Sequence, residues 1–353
     1  MKLWLARITS AMLSVAIVLI GFEIGLHVGG YTRSVVNTLN GFNVRDPVLG
    51  HRGRPNVVQQ FRLSDFDVVV EHDRDGFRKP GRPRVSPADA PKLLVFGDSF
   101  TWGWGVGQGS VFTDLLADDL PQFAVRNLGI SGVGTVVEFR LFETAGPAKN
   151  LRRGDVVAVM FFRNDFEDNV AGRLNAAVRG RRVVLDDVDV GWDERLDRLR
   201  GRSLVFNLVS YNLESWFKTY RAARLATLGA EAPAARVTGH YLAQFRSACD
   251  STGARFLVVE IPDRSLYGEG VIDRRVLGHA TAAHRVLLEL TQALGVETLD
   301  LLPVFRLAVR DVPDQSLTFP HDSHWNAAGH RVAARAIAAR IRSGRSVLEA
   351  SAP

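Results

Sequence analysis

Three residues that lie far apart in the sequence offer the side chains that nucleophilic acyl chemistry requires. Ser99 directly follows Gly97-Asp98, and Asp322 and His324 lie more than 200 residues later. A serine hydroxyl becomes a strong nucleophile when a histidine removes its proton, and a carboxylate is then needed to orient that histidine. The sequence therefore predicts Ser99 as the nucleophile, His324 as the base and Asp322 as the orienting acid.

Two further segments offer hydrogen-bond donors for the negative oxygen that such an attack creates. The segment NLGISGVG at 127–134 contains three glycines, which allow backbone N–H groups to approach a ligand closely. The segment RND at 163–165 contributes the amide of Asn164. Donors aimed at a developing oxyanion lower the barrier to acyl transfer. We expect the N–H groups of Ser99 and Gly132 and the Asn164 side chain to form this oxyanion hole.

From residue 92 onward, short apolar runs alternate with helical patterns. Strands are predicted at 92–96, 124–128, 155–162, 255–261 and 296–301, and helices at 111–120, 135–145, 240–251, 278–294 and 325–341. This alternation favours a parallel sheet covered on both faces, a three-layer α/β/α sandwich. Ligands of such sheets bind beyond the carboxyl ends of the strands. The segments that contain Ser99, Gly132 and Asn164 begin there. The interval 171–237 breaks the alternation and is predicted to be an insertion.

The four segments resemble, in order, the four sequence blocks of the SGNH hydrolases, the GDSL lipase/esterase family. The blocks are GDSF at 97–100, NLGISGVG at 127–134, RND at 163–165 and DSHWNAAGH at 322–330. The resemblance extends from residue 92 to about 339. It implies a flavodoxin-like parallel sheet and an acyl-ester hydrolase that needs neither a metal nor an organic cofactor.

Two positions depart from the family pattern. Phe162 stands where the third block usually has glycine, two residues before its asparagine. Asp322 precedes His324 by two residues, whereas many members have a spacing of three. The shorter spacing resembles the membrane-associated and polysaccharide-modifying branches of the family.

The resemblance leaves the substrate and some residue roles open. The expected reaction is cleavage of an acyl ester, such as an O-acetyl group on an envelope or exported glycan, or on a lipid. An O-acyltransferase would use the same triad, and a non-catalytic scaffold could bind glycans in an envelope assembly complex. His321 and His330 are the rival bases. The candidate substrate-lining residues are Trp102, Trp104, Asp165 and Trp325. Core packing is the alternative for Trp102 and Trp104, and support of the loop is the alternative for Asp165.

The first 28 residues have the pattern of a membrane anchor. Residues 8–20 are free of charge, and the apolar character continues to Val28, interrupted by Glu23 and His27. About 20 apolar residues suffice to cross a bilayer, and Lys2 and Arg7 favour a cytoplasmic N-terminus. A cleaved signal peptide and a buried helix are the alternatives. We expect a single-pass protein of the bacterial inner membrane, with residues 29–91 as a linker with short strands and 92–345 as a periplasmic domain.

Composition excludes several other classes of protein. Among 353 residues, 44 Lys and Arg against 38 Asp and Glu give a net charge of +6, without a basic block. A nucleic-acid-binding surface is therefore not predicted. The single cysteine, Cys249, excludes an internal disulfide framework and a cysteine-based zinc site. No GxxxxGK[ST] loop or HExxH motif is present in the sequence, which argues against a nucleotide-binding protein and a zinc protease.

Overall fold

The computed structural model forms two compact units. The first comprises residues 1–42 and 189–221, and the second comprises 43–188 and 222–353. Within them the structure describes residues 2–30, 41–83, 87, 89–171, 174–185, 196, 199–210, 212–213, 229–269, 274–312 and 314–349. Parts of the predicted insertion, 172–173, 186–195 and 214–228 among them, lie outside the described residues.

The first unit contains one long apolar helix, α1 (Lys2–Val28). Its 22 residues from Arg7 to Val28 are long and apolar enough to cross a membrane, and none of them is buried. The Glu23 carboxylate accepts hydrogen bonds from Ser203 Oγ at 2.8 Å, Leu204 N at 2.7 Å and Val205 N at 2.9 Å. The acidic group that interrupts the apolar run is thus paired with the first turn of the helical segment 204–210.

The second unit is built on a five-stranded parallel sheet. Its strands are β5 (Lys92–Gly97), β6 (Ala124–Gly129), β7 (Val156–Phe161), β10 (Arg255–Glu260) and β11 (Glu297–Asp300). They lie in the order β6-β5-β7-β10-β11, which corresponds to the flavodoxin-like order 2-1-3-4-5. The chain order reverses between β5 and β7, and such a switch point opens a crevice at the carboxyl ends of the strands.

Helices cover both faces of this sheet, as the apolar strand sequences require. Because side chains alternate along a strand, Leu94 and Phe96 face one core cluster, whereas Leu93 and Val95 face the other. The first cluster is closed by α4 (Thr135–Thr144), α6 (Pro233–Thr252) and α7 (Arg274–Ala293). The second is closed by α3 (Phe112–Asp119), α8 (Leu302–Asp311) and α9 (Ala327–Glu349). The predicted three-layer sandwich is confirmed.

Several elements lie outside the main sheet. Two short helices follow strands of the sheet, α2 (Ser99–Trp102) after β5 and α5 (Asp165–Ala171) after β7. Three antiparallel hairpins add β1 (Asn43–Asp46) with β2 (Gly50–Gly53), β3 (Val58–Leu63) with β4 (Phe66–Glu71), and β8 (Ala176–Arg179) with β9 (Arg182–Leu185). The last hairpin belongs to the predicted insertion.

The hairpin of β3 and β4 packs directly on the segment after β5. The Phe61 ring lies 4.9 Å from the Trp104 ring and 5.9 Å from the Trp102 ring, both edge to face. His72 Nε2 accepts a hydrogen bond from Trp102 Nε1 at 2.9 Å. A stretch predicted to be mainly a linker therefore helps to hold the loop that follows the predicted nucleophile.

Candidate functional site

The structure brings together Ser99, His324 and Asp322. Ser99 Oγ lies 2.7 Å from His324 Nε2, and His324 Nδ1 lies 2.5 Å from Asp322 Oδ1. The carboxylate can accept only, so the Nδ1–H donates to Asp322 and leaves Nε2 to accept from the serine hydroxyl. This is the hydrogen-bond chain of an activated serine.

Hydrogen bonds and the charge of His324 keep Asp322 ionised. Burial alone would raise its pKa, but hydrogen bonds and charge from His324, with a further bond from Trp104, lower that pKa to about 2. The pKa shift is in the direction that lets the carboxylate stabilise an imidazolium. Asp322 is therefore an acceptor at every pH near neutrality.

Trp104 contacts both members of the acid–base pair. Its Nε1–H donates to Asp322 Oδ2 at 2.9 Å, and its ring stacks on the His324 imidazole at 4.9 Å with an interplanar angle of 20°. The second carboxylate oxygen is thus occupied, and one face of the imidazole is covered. Sequence reasoning missed this arrangement, because a tryptophan after the nucleophile is equally compatible with a substrate surface.

The loop that carries Asp322 and His324 is fixed at both ends. Arg264 Nη1 donates to the carbonyls of Phe319 at 3.3 Å and Asp322 at 3.2 Å. Asn326 Oδ1 accepts from Ala328 N at 2.8 Å, capping α9. These bonds explain how two residues so distant in sequence from Ser99 can be held at hydrogen-bond distance from it.

The turn after β5 exposes the Ser99 N–H at the beginning of α2. Asp98 precedes the helix, and its Oδ1 accepts from Phe100 N at 2.9 Å, as an N-cap does. Among the described residues, the Ser99 N–H has no acceptor. It is available as a donor beside the serine hydroxyl.

Gly132 lies in the turn that follows β6, the neighbour of β5. Its φ of +79° is in the left-handed region that favours glycine. Its N–H has no acceptor within the described part of the chain. The preceding carbonyl, that of Ser131, is bonded to His51 Nε2 at 2.9 Å, which fixes the turn from the other side.

Asn164 follows β7, the other neighbour of β5. Its Nδ2 donates to Asp168 Oδ2 at 2.8 Å, and an amide nitrogen has a second hydrogen to offer. A Cβ added to Gly134 would lie 3.1 Å from the carbonyl oxygen of Asp165, so the second and third blocks are in close contact. Ser99, Gly132 and Asn164 therefore all lie at the switch-point edge of the sheet.

Three buried carboxyl groups lie near this edge of the sheet. Burial raises the pKa of Asp98 to about 6, and burial together with neighbouring carboxylates raises the pKa values of Glu138 and Asp165 well above their usual range. The raised pKa values favour the neutral forms of the deeper acids, which carry less negative charge toward Ser99.

The predicted substrate-lining residues are buried, which corrects that expectation. Trp102 and Trp104 are each 2% exposed, and Trp325 is 0% exposed. Trp325 packs on Phe305 at 5.1 Å, so it fills the core beneath the loop. Asp165 is also 0% exposed. The apolar bodies of the three indoles account for this placement, since their burial stabilises the fold more than exposure would.

The rival histidines lie elsewhere. His330 is buried within α9, accepts from Phe112 N at 3.2 Å and has a pKa lowered to about 3 by burial. It is therefore a neutral core residue. His321 is exposed and lies 2.6 Å from Asp65, a partner that the sequence did not reveal. Among the described residues, the one cluster able to hold a metal is Glu260, His284 and Asp300, which does not include any of the predicted site residues.

A family model matches the part of the chain that contains the last sequence block. Residues 215–352 match the family model described as "SGNH hydrolase-like domain, acetyltransferase AlgX". This span contains Asp322 and His324, whereas Ser99, Gly132 and Asn164 precede it. No curated protein is significantly similar in sequence.

Several solved structures are similar at low identity. A lipolytic protein of the G-D-S-L family from Veillonella parvula is 14% identical, covers 70% of this chain and 96% of its own, and has a TM-score of 0.41. The acetyl xylan esterase AlAXEase is 16% identical over 70% and 97%, with a TM-score of 0.42. A catalytic mutant of an acetylxylan esterase from Geobacillus stearothermophilus is 15% identical over 73% and 96%, with a TM-score of 0.41. Residues 215–352 are thus similar to an SGNH hydrolase-like domain, in agreement with the resemblance of the last sequence block.

Proposed function

We propose that this protein is a serine hydrolase that cleaves acyl esters. The observation that carries the proposal is the continuous hydrogen-bond chain from Ser99 Oγ through His324 to Asp322. The proposal is supported by the position of these hydrogen bonds at the switch point of the sheet. The loops of Gly132 and Asn164 lie beside them and offer hydrogen-bond donors. Neither a metal nor an organic cofactor is required for this chemistry.

In the proposed reaction, Ser99 Oγ attacks the ester carbonyl carbon while its proton passes to His324 Nε2. The N–H groups of Ser99 and Gly132 and the second Nδ2 hydrogen of Asn164 donate to the oxyanion. His324 then returns the proton to the alcohol oxygen as the carbon–oxygen bond breaks, which leaves an acyl-serine. Water, deprotonated by the same histidine, releases the acid and restores Ser99. Each oxyanion donor is typically worth about 3 kcal/mol of barrier.

We propose an O-acetylated glycan as the substrate, with a lipid ester as the alternative. The family description supports acetyl transfer chemistry, and a membrane-anchored domain would meet envelope or exported glycans. The test measures p-nitrophenyl acetate and octanoate turnover by the full chain in detergent. Preference for acetate with release of acetate from acetylated xylan supports the deacetylase, whereas preference for octanoate indicates a lipase. Absence of turnover on every ester in a folded preparation contradicts the hydrolase.

An O-acetyltransferase is the second candidate, because the matching family description names one. It would use the same acyl-serine and pass the acyl group to a sugar hydroxyl instead of water. Mass spectrometry of the same reactions with unacetylated oligosaccharides separates the two activities. Acetylated oligosaccharide as the main product would assign the transferase, and free acetate would assign the hydrolase.

Trp104→Phe is expected to lower kcat about 10-fold to 100-fold with little change in KM. The phenyl ring retains part of the packing on His324 but removes the hydrogen bond to Asp322 Oδ2, so the acid–base pair loses its fixed orientation. Kinetics on p-nitrophenyl acetate, with the thermal midpoint measured alongside, check the expectation. The matched control is Trp102→Phe, which removes an indole bond to His72 instead. Equal losses in both variants would show that only packing matters.

We propose that α1 anchors the protein in the bacterial inner membrane, with the second unit on the periplasmic side. Exposed Val58 offers a site for a reporter, because the natural thiol of Cys249 is fully buried. An impermeant maleimide should label Val58→Cys in intact spheroplasts, and the intact mass should include α1. Labelling only after lysis contradicts the orientation. A mass lacking the first helix would identify a cleaved signal peptide.

A further inference from the structure

A second cluster of polar side chains lies at the same edge of the sheet, two strands away from the nucleophile. Glu260 ends β10, Asp300 ends β11, and His284 projects from α7. His284 Nδ1 lies 3.1 Å from Glu260 Oε1, and His284 Nε2 lies 3.8 Å from Asp300 Oδ2. One ligand atom of each residue lies within 4.8 Å of the other two. The proposed acyl chemistry uses none of these groups.

Two atoms of this cluster are buried without a hydrogen-bond partner among the described residues. They are Glu260 Oε2, on a residue that is 5% exposed, and His284 Nδ1, whose approach to Glu260 is close but poorly aligned for a hydrogen bond. Both residues line a cavity of about 10 Å³, the space needed for one water molecule or ion. Buried polar atoms without partners are costly, which points to a ligand that satisfies them.

The charges of the cluster are unbalanced. Among the described residues, His284 is the only basic side chain that forms an ion pair with either acid. Arg163 also lines the cavity, but its Nε pairs with Asp263 Oδ2 at 2.5 Å. The two carboxyl groups therefore lack one positive charge.

We propose that Glu260, His284 and Asp300 bind a divalent transition-metal ion of the Zn²⁺ class. Zinc takes imidazole nitrogen and carboxylate oxygen at about 2.0–2.2 Å, and two such ligands at a tetrahedral angle lie about 3.3 Å apart. The separation of 3.1 Å between His284 Nδ1 and Glu260 Oε1 fits this geometry. Asp300 Oδ1 accepts from Leu302 N, which leaves Oδ2 for the ion. The ion would join α7 to the ends of β10 and β11.

The test titrates the EDTA-treated full chain in detergent with Zn²⁺ against a chromophoric zinc indicator. We expect one Zn²⁺ per chain and a thermal midpoint that rises with Zn²⁺. His284→Gln and Asp300→Asn should each weaken binding at least about 10-fold, since even outer-sphere partners contribute this much. His321→Gln is the matched control, because it removes the exposed histidine–carboxylate pair with Asp65.

Two results would overturn the metal site. One is a wild-type chain that does not bind Zn²⁺ above the level of the two cluster variants. The other is equal loss of binding in His321→Gln, which would mean adsorption to surface histidines. Circular dichroism checks that each variant is folded. If only one of the two cluster variants folds, that variant alone is enough to test the metal site. Because no ester substrate is involved, the result does not depend on the proposed hydrolase activity.

Discussion

Replacing Ser99 with alanine is expected to reduce ester turnover by at least about 10⁴-fold, the largest effect of any single substitution in this chain. The hydroxyl oxygen that would carry the acyl group is removed, and His324 Nε2 loses the donor at 2.7 Å. The oxyanion donors remain, so residual turnover should come from substrate binding and oxyanion stabilisation alone. Steady-state kinetics on p-nitrophenyl acetate and intact mass after a short reaction both report on the step. The wild-type protein should transiently carry one acetyl group, and the variant should carry none.

Ser251→Ala provides the matched control for this substitution. Ser251 is exposed on α6, where its hydroxyl bonds to the Ala248 carbonyl at 2.8 Å, so its loss should leave kcat unchanged. A Ser99→Ala protein that retains more than a tenth of wild-type turnover would show that another group is the nucleophile. An unchanged thermal midpoint would show that the loss does not arise from unfolding.

The alternation of apolar runs with helical patterns allowed the strands of the sheet to be predicted, and the side-chain types of the four blocks allowed the Ser99–His324–Asp322 contact to be predicted. The apolar runs that became β5 and β7 are recognisable because both faces of these strands are buried. The edge strand β6 is buried only in its second half, and the first three blocks begin at or near the ends of the three strands. A parallel sheet then brings those ends to one edge, whatever their separation in sequence. The positions of Ser99, Gly132 and Asn164 follow from this geometry, whereas their roles remain proposals.

Features that depend on contacts between distant segments were not predictable. The buried rings of Phe61 and Phe66 lie in a stretch rich in Gly, Pro and Arg, where turn signals dominate the local pattern. The helix α8 begins at Leu302, next to a proline. A proline suits the first turn of a helix, but it is also typical of the end of a strand, so the sequence does not distinguish the two. For Trp104, a substrate surface and core packing both stayed open, because the sequence does not show whether an indole N–H faces water or a carboxylate such as Asp322.

The cluster of Glu260, His284 and Asp300 illustrates the same limit more strongly. Its members come from two strand ends and one helix, with no spacing that resembles a metal motif. Only the parallel pairing of β10 with β11, which places Glu260 opposite Asp300, brings the two acids together. This pairing also buries Glu260 Oε2 and His284 Nδ1, which then lack hydrogen-bond partners among the described residues.

Asp322→Asn is expected to lower kcat about 10⁴-fold at neutral pH, close to the effect of removing the nucleophile. An amide can present its N–H₂ to His324 Nδ1, which favours the tautomer with the proton on Nε2. That tautomer cannot accept the proton of Ser99. The variant also loses the negative charge that stabilises an imidazolium next to it, although its volume is nearly unchanged.

The pH dependence separates this explanation from simple disruption of the loop. Because the pKa of Asp322 is lowered to about 2, the native carboxylate is ionised at neutral pH, and its contribution to stability is present above the unfolded-state pKa. That contribution is lost only as the pH falls toward 2, so the wild-type thermal midpoint should decline in acid more steeply than that of Asp322→Asn. Activity measured from pH 4 to pH 9 and thermal midpoints measured from pH 2 to pH 9 on both proteins check the two expectations together. If Asp322→Asn retained wild-type kcat with the same pH profile, Asp322 would be a structural residue, and the orienting group for His324 would have to be sought elsewhere.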